Sequence, residues 1–91
     1  MNNERRSRIK EAIQELESLV ETMQEVMDAV ESIKDDEEAA FEAYPENLQY
    51  SEKGEAMQEA ISSLDDAMSA IESAKENIDE AVSALESAEE C

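Results

Sequence analysis

The feature that most constrains this chain is a seven-residue ruler in its second half. Ala60, Ala67, Ala74, Ala81 and Ala88 form one column. Met57, Leu64, Ile71, Ile78 and Leu85 form a second, and Ile61, Met68 and Val82 a third, interrupted at Lys75. Apolar residues returning at three, four and seven positions define a long helix with one apolar side. Residues 60–73 and 74–87 also repeat each other at Ala, Asp, Ala, Ser, Ala, Glu and Ser. Two duplicated heptads point to a supercoiled rod.

The first half obeys the same rule. Ile9, Ile13, Leu16, Val20, Met23, Met27 and Val30 alternate spacings of four and three, and Ala12, Leu19, Val26 and Ile33 add a flanking column. A stripe three columns wide suits a helix with more than one neighbour. Asn2 or Asn3 is the expected N-cap, with Glu4 in the first turn. After Ile33 comes a charged run, Lys34-Asp35-Asp36-Glu37-Glu38, and then Ala39, Ala40, Phe41, Ala43 and Tyr44. These last residues read as an apolar stripe in a shifted register.

Pro45 ends the first helix, because proline disfavours the α conformation at Tyr44 and lacks an N–H. Ser51 is the expected N-cap of the second helix, followed by Glu52 and Glu55 at its positive end. Gly54 falls in the first turn, where it is tolerated. The spacing thus predicts one domain: helix 3–43, turn 44–51 and helix 52–89. Two helices of nearly equal length on a short connection form an antiparallel hairpin, each arm about 60 Å long.

The expected fold is therefore all-α, a two-helix coiled coil. Reversal near Asn47 sets Leu16 near Ile78 and Val30 near Leu64, with large residues of the first helix against alanines of the second. One partner covers little more than the seam, so either two hairpins are expected to pair into a four-helix bundle, a homodimer, or one hairpin is expected to dock on another protein.

Composition excludes more functions than it suggests. There is no histidine, and there is one glycine, one proline and one cysteine. That removes Ser–His and Cys–His nucleophiles, zinc–histidine sites, the Glu-x-x-His di-iron bundles of similar architecture, and glycine-rich phosphate loops. A thin rod offers its carboxylates no enclosing pocket for glycosidase chemistry. No enzyme and no cofactor are expected. Asp35, Asp36, Glu37 and Glu38, or Asp65 and Asp66, lack the spacing and the glycine of a calcium loop, so no metal site is expected either. Cys91 reads as an incidental thiol. No apolar run approaches a membrane span, and no block resembles a secretory signal, so a cytoplasmic location is expected.

The net charge is −19. It argues against direct contact with nucleic acid or anionic membrane and for a basic protein partner. On the second helix Asp65, Glu72, Asp79 and Glu86 form a seven-spaced column flanked by Glu59, Asp66 and Glu80. That face is either a solvated surface or a rod of carboxylates that imitates the phosphates of duplex DNA. Crowded carboxylates repel, so added salt and mild acidification are expected to raise the melting temperature. Arg5, Arg6, Arg8 and Lys10 oppose the helix dipole and are expected beside Glu86, Glu89 and Glu90. Phe41, Tyr44, Leu48 and Tyr50 hold all the aromatic rings near the turn. They either cap the open end of the bundle or form an exposed binding patch.

The turn also carries a resemblance. Its sequence from Tyr44 to Met57 is Tyr-Pro-Glu-Asn-Leu-Gln-Tyr-Ser-Glu-Lys-Gly-Glu-Ala-Met, preceded by Asp-Asp-Glu-Glu-Ala-Ala-Phe at 35–41. It resembles small acidic helical proteins of phages and prophages of Gram-positive bacteria, with their Pro-Glu-(Asn/Ser)-Leu-Gln turn and following Ser-Glu-x-Gly-Glu-Ala-Met. The resemblance implies a phage setting inside a bacterial host, and hence a host protein as the partner to be bound and inhibited. Secreted hairpins with a Trp-x-Gly turn share the architecture, but this chain has no Trp.

Overall fold

The computed structural model describes residues 1–91. It contains two long helices and no strand: α1 spans Asn3–Ala43 and α2 spans Glu52–Glu90, with a single 3-10 turn, Glu46–Leu48, between them. Neither helix is long and apolar enough to cross a membrane. The chain packs as two units, Met1–Glu25 with Glu72–Cys91, and Val26–Ile71.

Local chemistry sets the helix ends. Asn2 caps α1, its Oδ1 accepting from the Arg5 amide at 2.9 Å. At the other end no basic residue lies in the last turn to meet the free carbonyls. Gln49 does so instead: its Nε2 donates to the carbonyls of Phe41 and Tyr44, at 3.3 and 3.1 Å. Pro45 opens the 3-10 turn, accepting from the Leu48 amide at 2.8 Å. Ser51 caps α2, with the Gly54 amide donating to its Oγ at 3.3 Å and the Ser51 hydroxyl donating to the Leu48 carbonyl.

Gly54 is a requirement of this turn. It is buried, and a Cβ there would stand 2.1 Å from the Gln49 carbonyl oxygen and 2.5 Å from the carbonyl carbon. Those are backbone atoms of the residue that caps α1, so they have no free room to yield. Glycine is thus more than tolerated at this helix start: the absent side chain lets the first turn of α2 lie against Gln49.

The seam positions of α1 run Ile9, Ile13, Leu16, Val20 and Met23 in the first unit, then Met27, Val30, Lys34, Glu37 and Phe41 in the second, with Tyr44 just past the helix end; Ile13 is buried and the others are half-buried. The four-and-three alternation never breaks. The expected register shift is therefore absent: Lys34 and Glu37 occupy seam positions in place of apolar residues, and Ala39, Ala40 and Ala43 face solvent. On α2 the half-buried set is Met57, Ile61, Leu64, Met68, Ile71, Lys75, Ile78, Val82 and Leu85. Of the alanine column Ala60, Ala67 and Ala81 are exposed and Ala74 and Ala88 half-buried, and large residues meet large residues across the seam. The alanine column flanks the seam, because the seam takes the two columns of greatest apolar area and leaves the third outside.

In the Val26–Ile71 unit, Lys34 Nζ reaches Asp65 Oδ1 at 2.9 Å. In the other unit, Lys75 Nζ donates to Gln24 Oε1 and Lys10 Nζ lies 3.4 Å from Glu89. Each contact falls five residues, or more than one helical turn, beyond the level that reversal at Asn47 gives. The centre of reversal lies between Gln49 and Tyr50, and Gln49 is bonded to the end of α1 and packed on the start of α2. Two lysines at seam positions, each bonded across to the other helix, specify this register at some loss of apolar contact.

The seam is thin. Ile13, 8% exposed, is the one buried apolar residue. The chain exposes 6471 Å², against about 5,300 Å² for a compact protein of its mass.

Candidate functional site

Antiparallel pairing sorts the residues beside the seam. Those that follow a seam position meet their counterparts on one flank, and those that precede it meet on the other. The two flanks have opposite chemistry.

One flank is acidic. In the first unit Glu17 and Glu21 of α1 join Asp79 and Glu86 of α2 around an open groove of about 390 Å³ floored by Val20 and Val82. None of the four carboxylates pairs with a cation. In the second unit the same flank is partly neutralised. Lys34 lies 2.9 Å from Asp65 and 3.6 Å from Glu38, and this raises its pKa. The Asp65 hydrogen bond is the main cause, opposed by desolvation and aided by the charges of Asp65 and Glu38.

The expected acidic face of α2 therefore divides. Asp65 and Glu72 are ion-paired, Glu72 with Lys75 at 3.9 Å. Asp79 and Glu86 line the groove, while Glu59, Asp66 and Glu80 lie exposed on the back of α2, away from the seam. Glu17 and Glu21 had escaped notice because they belong to α1. Their positions one and five residues after Leu16 carried the signal, once the pairing direction was assumed.

The other flank is apolar. In the second unit Val26 and Ile33 of α1 are 46% and 54% exposed, and Ala60 and Ala67 of α2 are exposed too. In the first unit Leu19 is 47% exposed, and Met1, Arg5, Arg8, Ile9, Ala12 and Leu85 line an open apolar groove of about 370 Å³. The basic cluster is thus split between flanks. Arg6 donates from Nε to the Glu89 carbonyl at 3.1 Å and Lys10 pairs with Glu89, whereas Arg5 and Arg8 border the apolar groove.

The turn residues divide as well. Phe41 and Tyr44 are half-buried, with Lys53 Nζ 5.7 Å from the Tyr44 ring centroid. Leu48 is exposed, and Tyr50, at 79%, is almost entirely so. Two of the four thus cover the end of the seam and two face solvent. Cys91 is an exposed free thiol, and no group of three or more His, Cys, Asp or Glu residues is arranged to hold a metal ion. No protein-family model, curated protein or solved structure matches the chain.

Proposed function

We propose that this chain is a non-catalytic binding protein whose acidic flank docks on a basic surface of another protein. The observation that carries the reading is the meeting of Glu17, Glu21, Asp79 and Glu86 around one groove with no cation among them. Such an arrangement stores repulsion that a basic partner relieves. Rows of carboxylates on a helical rod suit a protein that ordinarily grips nucleic acid, so the partner class is a DNA-binding or defence protein and the mode is mimicry of DNA. The resemblance of the turn to phage proteins makes the partner a bacterial host protein and the outcome its inhibition, in the host cytoplasm. Capture from bacterial lysate over a salt series tests this. Retention of basic DNA-binding proteins that elute with salt, and their loss with Glu17→Lys, Glu21→Lys, Asp79→Lys and Glu86→Lys together, supports it. Recovery of the chain alone sinks it.

A second reading rests on the opposite flank. Leu19, Val26 and Ile33 are about half exposed. A helical bundle protein that acts through self-association would cover them, two hairpins pairing into a four-helix bundle. The two readings use different flanks and are compatible in one molecule.

A further inference from the structure

We infer that a second copy of this chain covers the apolar flank, by a two-fold axis parallel to the helices that lays α1 of each copy over α2 of the other. This rests on the four-helix reading above and adds to it the surface and the symmetry.

Area argues for a covering partner. The chain exposes 6471 Å², about 1,100 Å² more than a compact protein of its mass. A stable interface takes about 800 Å² from each partner. The surplus is enough for one interface of ordinary size.

Charge selects the flank. Each copy carries −19, so two copies repel wherever their carboxylates meet. Val26, Ile33, Ala60 and Ala67 lie opposite the flank that holds Glu38 and Asp65. Pairing through the apolar flank turns the acidic flanks outward and leaves them free for another partner.

Shape selects a second copy as the occupant and fixes the axis. A two-fold interface brings a patch against itself, so the patch must complement itself. Here α1 presents bulky residues, Val26 and Ile33, on the flank where α2 presents small ones, Ala60 and Ala67. The Lys34–Asp65 contact sets Ile33 within one residue of the level of Ala67. An axis parallel to the helices keeps levels unchanged while exchanging left and right. Ile33 of each copy then stands over Ala67 of the other, bulk into hollow along both helices. An axis across the helices would lay α1 on α1 and α2 on α2. Bulk on bulk would then hold the hairpins apart and leave a gap between the alanines.

The test combines mass with cross-linking. By sedimentation equilibrium the native chain is expected at twice 10.2 kDa. Val26→Glu with Ile33→Glu is expected at the single-chain mass with helical circular dichroism retained. Ala67→Leu, which fills the hollow at an exposed position, is expected to dissociate the pair too. In a Cys91→Ser background, Ile33→Cys mixed with Ala67→Cys is expected to form disulfide-linked pairs on oxidation, and Ile33→Cys alone to form none. A native chain at 10.2 kDa would overturn the four-helix reading itself. A dimer that persists in both the glutamate and the leucine variants would overturn this flank alone. Efficient cross-linking of Ile33→Cys to itself would overturn this axis alone.

Discussion

The two flanks of one seam are built from the same heptads yet respond to their surroundings in opposite ways. On the apolar flank Val26 and Ile33 of α1 share a side with Ala60 and Ala67 of α2. On the acidic flank Glu17 and Glu21 stand next to Asp79 and Glu86. Salt therefore acts on them with opposite sign. It would screen the repulsion between two acidic chains and strengthen the proposed self-association, while weakening the proposed attraction to a basic partner. One chain can thus offer one flank for assembly and keep the other for recognition.

Several changes would break or sharpen this contrast. The largest effect is expected at Ile13, the buried residue from which both flanks of its unit hang. Ile13→Ala should lower stability by about 2–4 kcal/mol, seen in denaturant unfolding, because it opens a cavity in a seam with little else buried. Next is Gly54→Ala, which forces a methyl group against the Gln49 backbone. A loss of about 1–3 kcal/mol is expected in thermal melting, and unchanged stability would show that the turn relaxes freely.

Smaller and opposite in sign is Glu17→Lys with Glu21→Lys. Placing cations beside Asp79 and Glu86 should raise stability by roughly 0.3–1 kcal/mol in low salt, with the gain fading in high salt, while capture of a basic partner is lost. Stability gained together with binding lost is the signature of a groove kept acidic for recognition. A change that lowers stability would mean that these carboxylates already have compensating partners.

The smallest effect concerns Lys34. Its pKa is raised above the ordinary 10.5, chiefly by the hydrogen bond to Asp65. A raised value means that the folded state holds this proton more tightly than the unfolded chain does. The contact therefore contributes its full share below about 10.5 and loses it as pH climbs through the higher folded value. Lys34→Gln should lower the melting temperature slightly at neutral pH, where the contact is complete, and flatten the alkaline decline.

Much of the architecture was legible in the residues. Two long helices followed from uninterrupted periodicity, and their break followed from Pro45. The end of the stripe at Val30 was misread, because Lys34 and Glu37 hold seam positions that hydropathy assigns to the surface. Only a three-dimensional pairing shows that Lys34 has Asp65 to reach. The alanine column was assigned to the seam because alanine invites close approach, yet bulkier columns beside it won the inside. The register differs by five residues for a local reason: Gln49 folds back on α1 and needs a glycine five residues later. For the candidate surface, the α2 half was visible as a seven-spaced acidic column. Its α1 half, and the ion pairs that neutralise Asp65 and Glu72, depend on which residues the antiparallel pairing brings to one side.

The most direct test of the contrast between flanks is the mass of the native chain by sedimentation equilibrium, over a range of concentrations in low and high salt. A species near twice 10.2 kDa that grows more stable as salt is added is the predicted result. A mass of 10.2 kDa throughout, or a dimer that salt dissociates, would contradict it, since either would mean that the apolar flank does not hold two chains together.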